Sequence, residues 1–147
     1  MVSKTGLTRP AVVWILLAAL NGLISVAAGA FSRHGMLDAG SREMIAIGSQ
    51  YQMTHALALF AVAWLATQSD LPWVSPVHVA GAGFALGILM FSGSLYWLGI
   101  TGDVPVSGAA PVGGFLLMVG WLAVAVAAVR AYVVVDCSSC HVPSDRS

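Results

Sequence analysis

Strongly polar residues fall in a few short clusters along the chain, and between the clusters run stretches of almost unbroken apolar residues. From Ala11 to Phe31 there is no charged residue, enough at about 1.5 Å per residue to cross a hydrocarbon core of about 30 Å as one helix. The next segment, Ser32 to Ser49, is the most charged: Arg33, His34, Asp38, Arg42 and Glu43 are interrupted by Gly35 and Gly40. It is expected at the interface or in water, with Ser41 as the N-cap of a second helix that enters the membrane near Gln50. Asp70, Pro72 and Pro76 mark a turn, and Trp73 suits an interfacial anchor. A third apolar stretch ends in Ser92, Ser94, Tyr96 and Trp97, a loop follows from Thr101 to Ala110, and Pro111 opens a fourth. The pattern predicts an all-α membrane protein, a four-transmembrane-helix bundle forming a single domain. Its helices are expected at about 11–31, 42–67, 77–100 and 111–133, with a polar tail at 134–147.

Composition agrees with that pattern. Hydrophobic residues make up 59% of the 147 and charged residues 8%, where a soluble domain carries about a quarter charged. Formal net charge is zero, so no overall field recruits nucleic acid or an acidic substrate, and nucleic acid is excluded as a partner. The two cysteines, Cys137 and Cys140, both lie in the tail, leaving the body without a disulfide framework. The first stretch also has features of a signal peptide, with Ala28-Gly29-Ala30 as a cleavage pattern. Its apolar run exceeds the roughly 7–15 residues of such a segment, and it is read as a retained helix.

Two sets of residues carry the candidate chemistry. On a helix, Tyr51, Gln52 and His55 share one face, and His34 is placed to join them where the first loop returns. This polar cluster, near one membrane boundary, suits an interhelical hydrogen-bond clasp from helix two to helix one or three, or a ligand or proton site. The clasp is preferred because no carboxylate accompanies His55 within the membrane. Small residues form the second set: Gly22 and Gly29 along one face of helix one with Ala18 and Ser25, Gly83 and Gly87 in helix three, and Gly113 and Gly120 in helix four are expected to let backbones approach. Asn21 is read as making a packing bond and His78 as a solvated interfacial residue.

Other chemistries are weaker. Ser92 and Ser94 lack a histidine-plus-acid partner in helix three, the glycines match no phosphate-binding fingerprint, and two histidines alone make a poor metal site. The run Cys137-Ser138-Ser139-Cys140-His141 matches the pattern for covalent haem c attachment, but only six residues follow it. No cofactor is expected, with haem c as the alternative.

Gly29-Ala30-Phe31 with His34-Gly35, Tyr51-Gln52 with His55-Ala56-Leu57-Ala58, Phe91-Ser92-Gly93-Ser94-Leu95-Tyr96, and Pro111-Val112-Gly113-Gly114 with Gly120-Trp121 together resemble the YgdD-like family. That group comprises small bacterial inner-membrane proteins built on a domain of unknown function, with eukaryotic transmembrane relatives. The resemblance covers roughly Leu16 to Val129 and implies a multi-pass protein of the bacterial inner membrane, with no activity, substrate or cofactor to carry over. Arg33 departs from the small residue at that position in the family, and the Cys137–His141 run lies outside the shared region. The function expected is non-enzymatic, a structural or accessory role through helix association with membrane lipid, other membrane proteins or a second copy. A small-molecule, lipid head-group or proton-handling site at His34, Tyr51, Gln52 and His55 is the alternative, and a haem carrier comes third. Lys4, Arg9, Arg130 and Arg146 against Arg33 and Arg42 place both termini in the cytoplasm.

Overall fold

In a computed structural model, residues 7–35, 37–68, 75–104 and 106–139 are described, with side chains in the last helix described to residue 132. They form four helices, α1 (Arg9–His34), α2 (Ala39–Leu65), α3 (Pro76–Thr101) and α4 (Ala109–Ser139). Each helix packs on the next in chain order, so α2 and α3 are central and α1 and α4 flank them. α1, α3 and the Ala109–Tyr132 part of α4 are long and apolar enough to cross a membrane. α2 carries Arg42 and Glu43 and is less apolar.

Local chemistry sets the helix ends. Thr8 caps α1, its Oγ1 accepting from Ala11 N and donating to Ala66 O at 3.2 Å, so that one hydroxyl closes the start of α1 and the end of α2. Ser75 caps α3 ahead of Pro76, and Gly102 ends it in the left-handed region at φ 78°. The cap of α2 is Asp38, one turn earlier than the expected Ser41. Its carboxylate accepts from Ser41 N at 3.0 Å and from Ser41 Oγ at 2.7 Å, and a carboxylate at a helix start also meets the positive end of the dipole.

The helix starts three residues earlier than expected, and the second half of Ser32 to Ser49 packs against its neighbours. Ile45 is buried, a Cβ on Gly99 of α3 would meet Ile45 Cγ1 at 2.7 Å, and Ser49 forms a reciprocal pair with α1. In that pair Ser25 Oγ donates to Ser49 O at 2.8 Å and Ser49 Oγ donates to Ser25 O at 2.9 Å. Gly29 lies directly over Ser49 Oγ, 3.0 Å from an added Cβ.

Glycines set the α3–α4 interface. A Cβ on Gly83 would meet Leu116 O at 3.0 Å and Gly120 Cα at 3.2 Å; on Gly87 it would meet Gly113 O at 3.0 Å; on Gly113, the Phe91 backbone nitrogen; on Gly120, the Phe84 ring at 2.6 Å. Two backbones in contact leave no volume for side chains, the small-residue packing that lipid-embedded helices favour. Gly22 does not belong to this set, since a Cβ there would meet nothing within 4 Å. Gly48, Gly81 and Gly99, by contrast, are close-contact positions that spacing did not single out.

Candidate functional site

Gln52 is the middle residue of α2 and Asn21 lies near the middle of α1, so this pair sits halfway along the bundle. Gln52 Nε2 donates to Asn21 Oδ1 at 2.9 Å, and Tyr96 OH donates to Gln52 Oε1 at 2.6 Å. Asn21 in turn donates from Nδ2 to Leu17 O at 2.8 Å. One glutamine thus joins α1, α2 and α3. Gly48, four residues before Gln52 and on the same face, makes room for this, since a Cβ there would lie 2.9 Å from the Tyr96 ring. Tyr96 therefore turns inward, while its neighbour Trp97 is exposed.

His55 turns a different way and reaches α4. Trp121 Nε1 lies 3.2 Å from His55 Nε2, and His55 Nδ1 lies 2.7 Å from Tyr51 O. An indole N–H only donates and a carbonyl only accepts, so the network assigns a neutral imidazole with its hydrogen on Nδ1 and Nε2 as acceptor. Both ring nitrogens are occupied, which leaves none for a metal or a transferred proton unless a bond breaks. Phe84 and Trp121 enclose the ring at centroid distances of 5.5 and 6.1 Å. Gln52 and His55 are thus separate ties: Gln52 makes the hydrogen bonds to α1 and α3 that the clasp reading expected, whereas His55 packs on Phe84 of α3 and hydrogen-bonds to α4.

A second tryptophan–histidine bond mirrors the first. Trp14 Nε1 of α1 donates to His78 Nδ1 of α3 at 3.0 Å, and His78 is 4% exposed, so the expectation of a solvated interfacial histidine is corrected. Again a glycine makes room: a Cβ on Gly81, three residues on from His78, would meet the Trp14 ring at 2.7 Å. Each flanking helix is therefore tied to the central helix that is not its sequence neighbour, α1 to α3 and α4 to α2.

The other cluster members lie elsewhere. Tyr51 is half exposed and packs its ring on Phe91 at 4.7 Å; it stacks on the His55 ring at a centroid distance of 6.1 Å and accepts from His55 through its carbonyl, while its hydroxyl takes no part. His34 ends α1, exposed, whereas His55 stands 16 residues into α2, a rise of about 24 Å at about 1.5 Å per residue. The two histidines do not meet. Cys140 and His141 lie outside the described residues, as does Trp73, and the side chain of Cys137 is not among those described.

A cleft of about 440 Å³ opens between α1 and α3, lined by Leu17, Asn21, Gln52, Leu89, Ser92 and Tyr96 among others. Ser92 differs from the other hydroxyls. Ser32, Thr54, Ser94 and Thr101 each donate to a carbonyl of their own preceding turn, and Ser25 and Ser49 bond across helices. Ser92 is 1% exposed and its Oγ has no hydrogen-bond partner.

Helices of this length and apolarity, joined by buried polar ties, define a multi-pass helical membrane protein. Residues 28–114 match the family model described as a protein of unknown function, DUF423, and the chain belongs to that family. Among curated relatives, the UPF0382 membrane protein YwdK of Bacillus subtilis (strain 168) is 40% identical over 122 residues, 80% of this chain and 97% of the relative. A UPF0382 membrane protein of Staphylococcus epidermidis is 37% identical, covering 80% of this chain and 96% of the relative. The UPF0382 inner membrane protein YgdD of Escherichia coli (strain K12) is 34% identical, covering 79% of this chain and 88% of the relative. These names support the bacterial inner membrane as the location. No solved structure matches.

Proposed function

We propose that the protein is a non-enzymatic four-span scaffold of the inner membrane, with α2 as the fourth span, acting through helix association with lipid and with other membrane components. The observation that carries this reading is that the buried polar side chains of α2 are engaged in holding helices together: Gln52 binds Asn21 and Tyr96, and His55 binds Trp121. A catalytic or proton-relaying histidine needs a ring nitrogen open to substrate, and both nitrogens of His55 are taken.

Two arguments support α2 as a span. The stretch Met44 to Leu65 contains no Asp, Glu, Lys or Arg, and its 22 residues exceed the roughly 20 a bilayer needs. It also touches α1 from Ser49 beside Ser25 to Ala66 beside Thr8, so a membrane crossed by α1 is crossed by α2 alongside it. With four spans the termini share a side, and the balance of Lys4, Arg9, Arg130 and Arg146 against Arg33 and Arg42 makes that side cytoplasmic. Cys137 and Cys140 then stay reduced and carry no haem.

An impermeant thiol reagent tests the arrangement in variants lacking Cys137 and Cys140. Leu37→Cys, before α2, labels in intact cells, and Gln68→Cys, after it, labels only once the inner membrane is opened. Labelling of both from one side would remove α2 as a span and, with it, this reading.

A further inference from the structure

We propose that the cleft between α1 and α3 binds an uncharged, lipid-soluble molecule whose one polar group, a carbonyl or hydroxyl, meets Ser92 and Gln52 at the middle of the membrane. This goes beyond the scaffold role, and its depth rests only on α1 and α3 crossing the membrane.

Volume, depth, charge and hydrogen-bonding capacity each restrict the occupant. At about 440 Å³ the cleft falls within the range of roughly 300–1,000 Å³ typical of small-molecule sites, and its walls are leucine and isoleucine. Its mouth faces outward between Leu20, 54% exposed, and Leu89, 70% exposed, so hydrocarbon enters from the lipid. The polar groups lie deep: Asn21 and Gln52 are at the middle of their helices, and Ser92 is within one turn of the middle of α3. A phospholipid head group resides at the bilayer surface, about half a hydrocarbon thickness away. No charged side chain lines the cleft, so a phosphate, carboxylate or ammonium would be buried without compensation. A neutral molecule with a single polar atom satisfies all these conditions.

The side chains also say which atom. Gln52 Nε2 has a second hydrogen beyond the one given to Asn21, and Ser92 Oγ–H has no acceptor. Two donors at the floor of an apolar cleft suit an oxygen with two lone pairs. Leaving a buried hydroxyl unpaired is costly, and a polar atom seated in the cleft that Ser92 lines would satisfy it. Gly93 sits at the same wall with nothing within 4 Å of an added Cβ, so a large side chain at that position has open space and occupies the cleft.

The test uses the full-length protein in lipid nanodiscs and a photoactivatable long-chain ketone with a mid-chain carbonyl. Labelled peptides are mapped by mass spectrometry, with the untagged ketone, the alkane of equal length and palmitate as competitors. Labelling is expected to be saturable and confined to the peptides carrying Leu17 to Ile24 and Ala85 to Gly93. The ketone should compete at least about tenfold better than the alkane or palmitate. Ser92→Ala should weaken the ketone about three- to tenfold, the loss of one hydrogen bond, while leaving thermal unfolding unchanged or improved. Gly93→Phe should abolish labelling. Unsaturable labelling, labelling spread over the lipid-facing residues Phe115 and Leu122 of α4, equal competition by the alkane, or a Ser92→Ala variant that binds like wild type would each overturn the site.

Discussion

The two sides of α3 are built in opposite ways. Toward α4 its glycines face other glycines: Gly83 lies against Gly120 and Gly87 against Gly113, backbone on backbone. Toward α1 the same helix leaves a cleft lined in part by Gly93, which has nothing within 4 Å of an added Cβ; Gly22 of α1, outside that lining, is equally open. Glycine alone therefore does not mark close approach; the facing helix must bring backbone or a side chain into the gap, as Gly120, Trp14 and Ile45 do. The dry side gains its contacts from packing alone, and the open side is joined through polar bonds at Asn21, Gln52 and Tyr96.

The largest expected effect breaks this contrast directly. Gly113→Leu and Gly83→Leu would drive a side chain into the backbone of the facing helix, at Phe91 or at Leu116 and Gly120, costing about 1–3 kcal/mol or more. Gly22→Leu on the open side and Leu86→Ala, at an exposed leucine, should stay within about 0.5 kcal/mol of wild type. Thermal unfolding in mild detergent reads all four. A stable Gly83→Leu beside an unstable Gly22→Leu would mean the packed and open faces are reversed.

Next comes the open side's polar node. Gln52→Leu strands the Tyr96 hydroxyl and an Asn21 oxygen among apolar neighbours, a loss of about 1–3 kcal/mol. Tyr96→Phe removes a single bond and should cost about 1 kcal/mol. A Gln52→Leu variant as stable as wild type in the same unfolding measurement would show that the node does not hold α1 to α3.

The tie between α2 and α4 is worth somewhat less. His55→Ala should cost about 0.6–2 kcal/mol, and His55→Gln should recover most of it, because an amide can still accept from Trp121 and donate to Tyr51 O. In a double-mutant cycle with Trp121→Phe, the sum of the two single losses should exceed the loss in the double variant. Strict additivity would mean that the 3.2 Å contact contributes nothing beyond burial.

The smallest effect lies outside both faces, at Asp38. Ser41, through its hydroxyl and then its amide, holds that carboxyl below the usual carboxylate range. A group whose folded-state pKa is depressed contributes stability that is complete above the unfolded value, near about pH 4, and is lost as the pH falls through the lowered folded value. Melting curves from about pH 7 to 3 should therefore show a small acid-side loss in wild type that Asp38→Asn, still a good cap, lacks.

Much of this protein is legible in the order of its residues. Apolar stretches divided by polar clusters announce four helices, because a helix satisfies its backbone hydrogen bonds within its own segment, and in lipid that local requirement admits few alternatives. Gly83, Gly87, Gly113 and Gly120 are legible as packing positions for the same reason, since their spacing repeats along one helix face. Gln52 and His55 stand out as polar groups that need partners, but the sequence does not say which. Asn21 is 31 residues from Gln52, Tyr96 is 44, Trp121 is 66 from His55, and Trp14 is 64 from His78. Gln52 and His55 stand three residues apart, only about 60° from each other around a helix of 3.6 residues per turn, yet one is directed toward α1 and α3 and the other toward α4. That choice belongs to the rotation of each helix about its axis, which is settled only when all four pack together and glycines such as Gly48 and Gly81 admit the tyrosine and tryptophan rings. The helices were local decisions, and the ties between them, together with the cleft left open between α1 and α3, were made by tertiary packing.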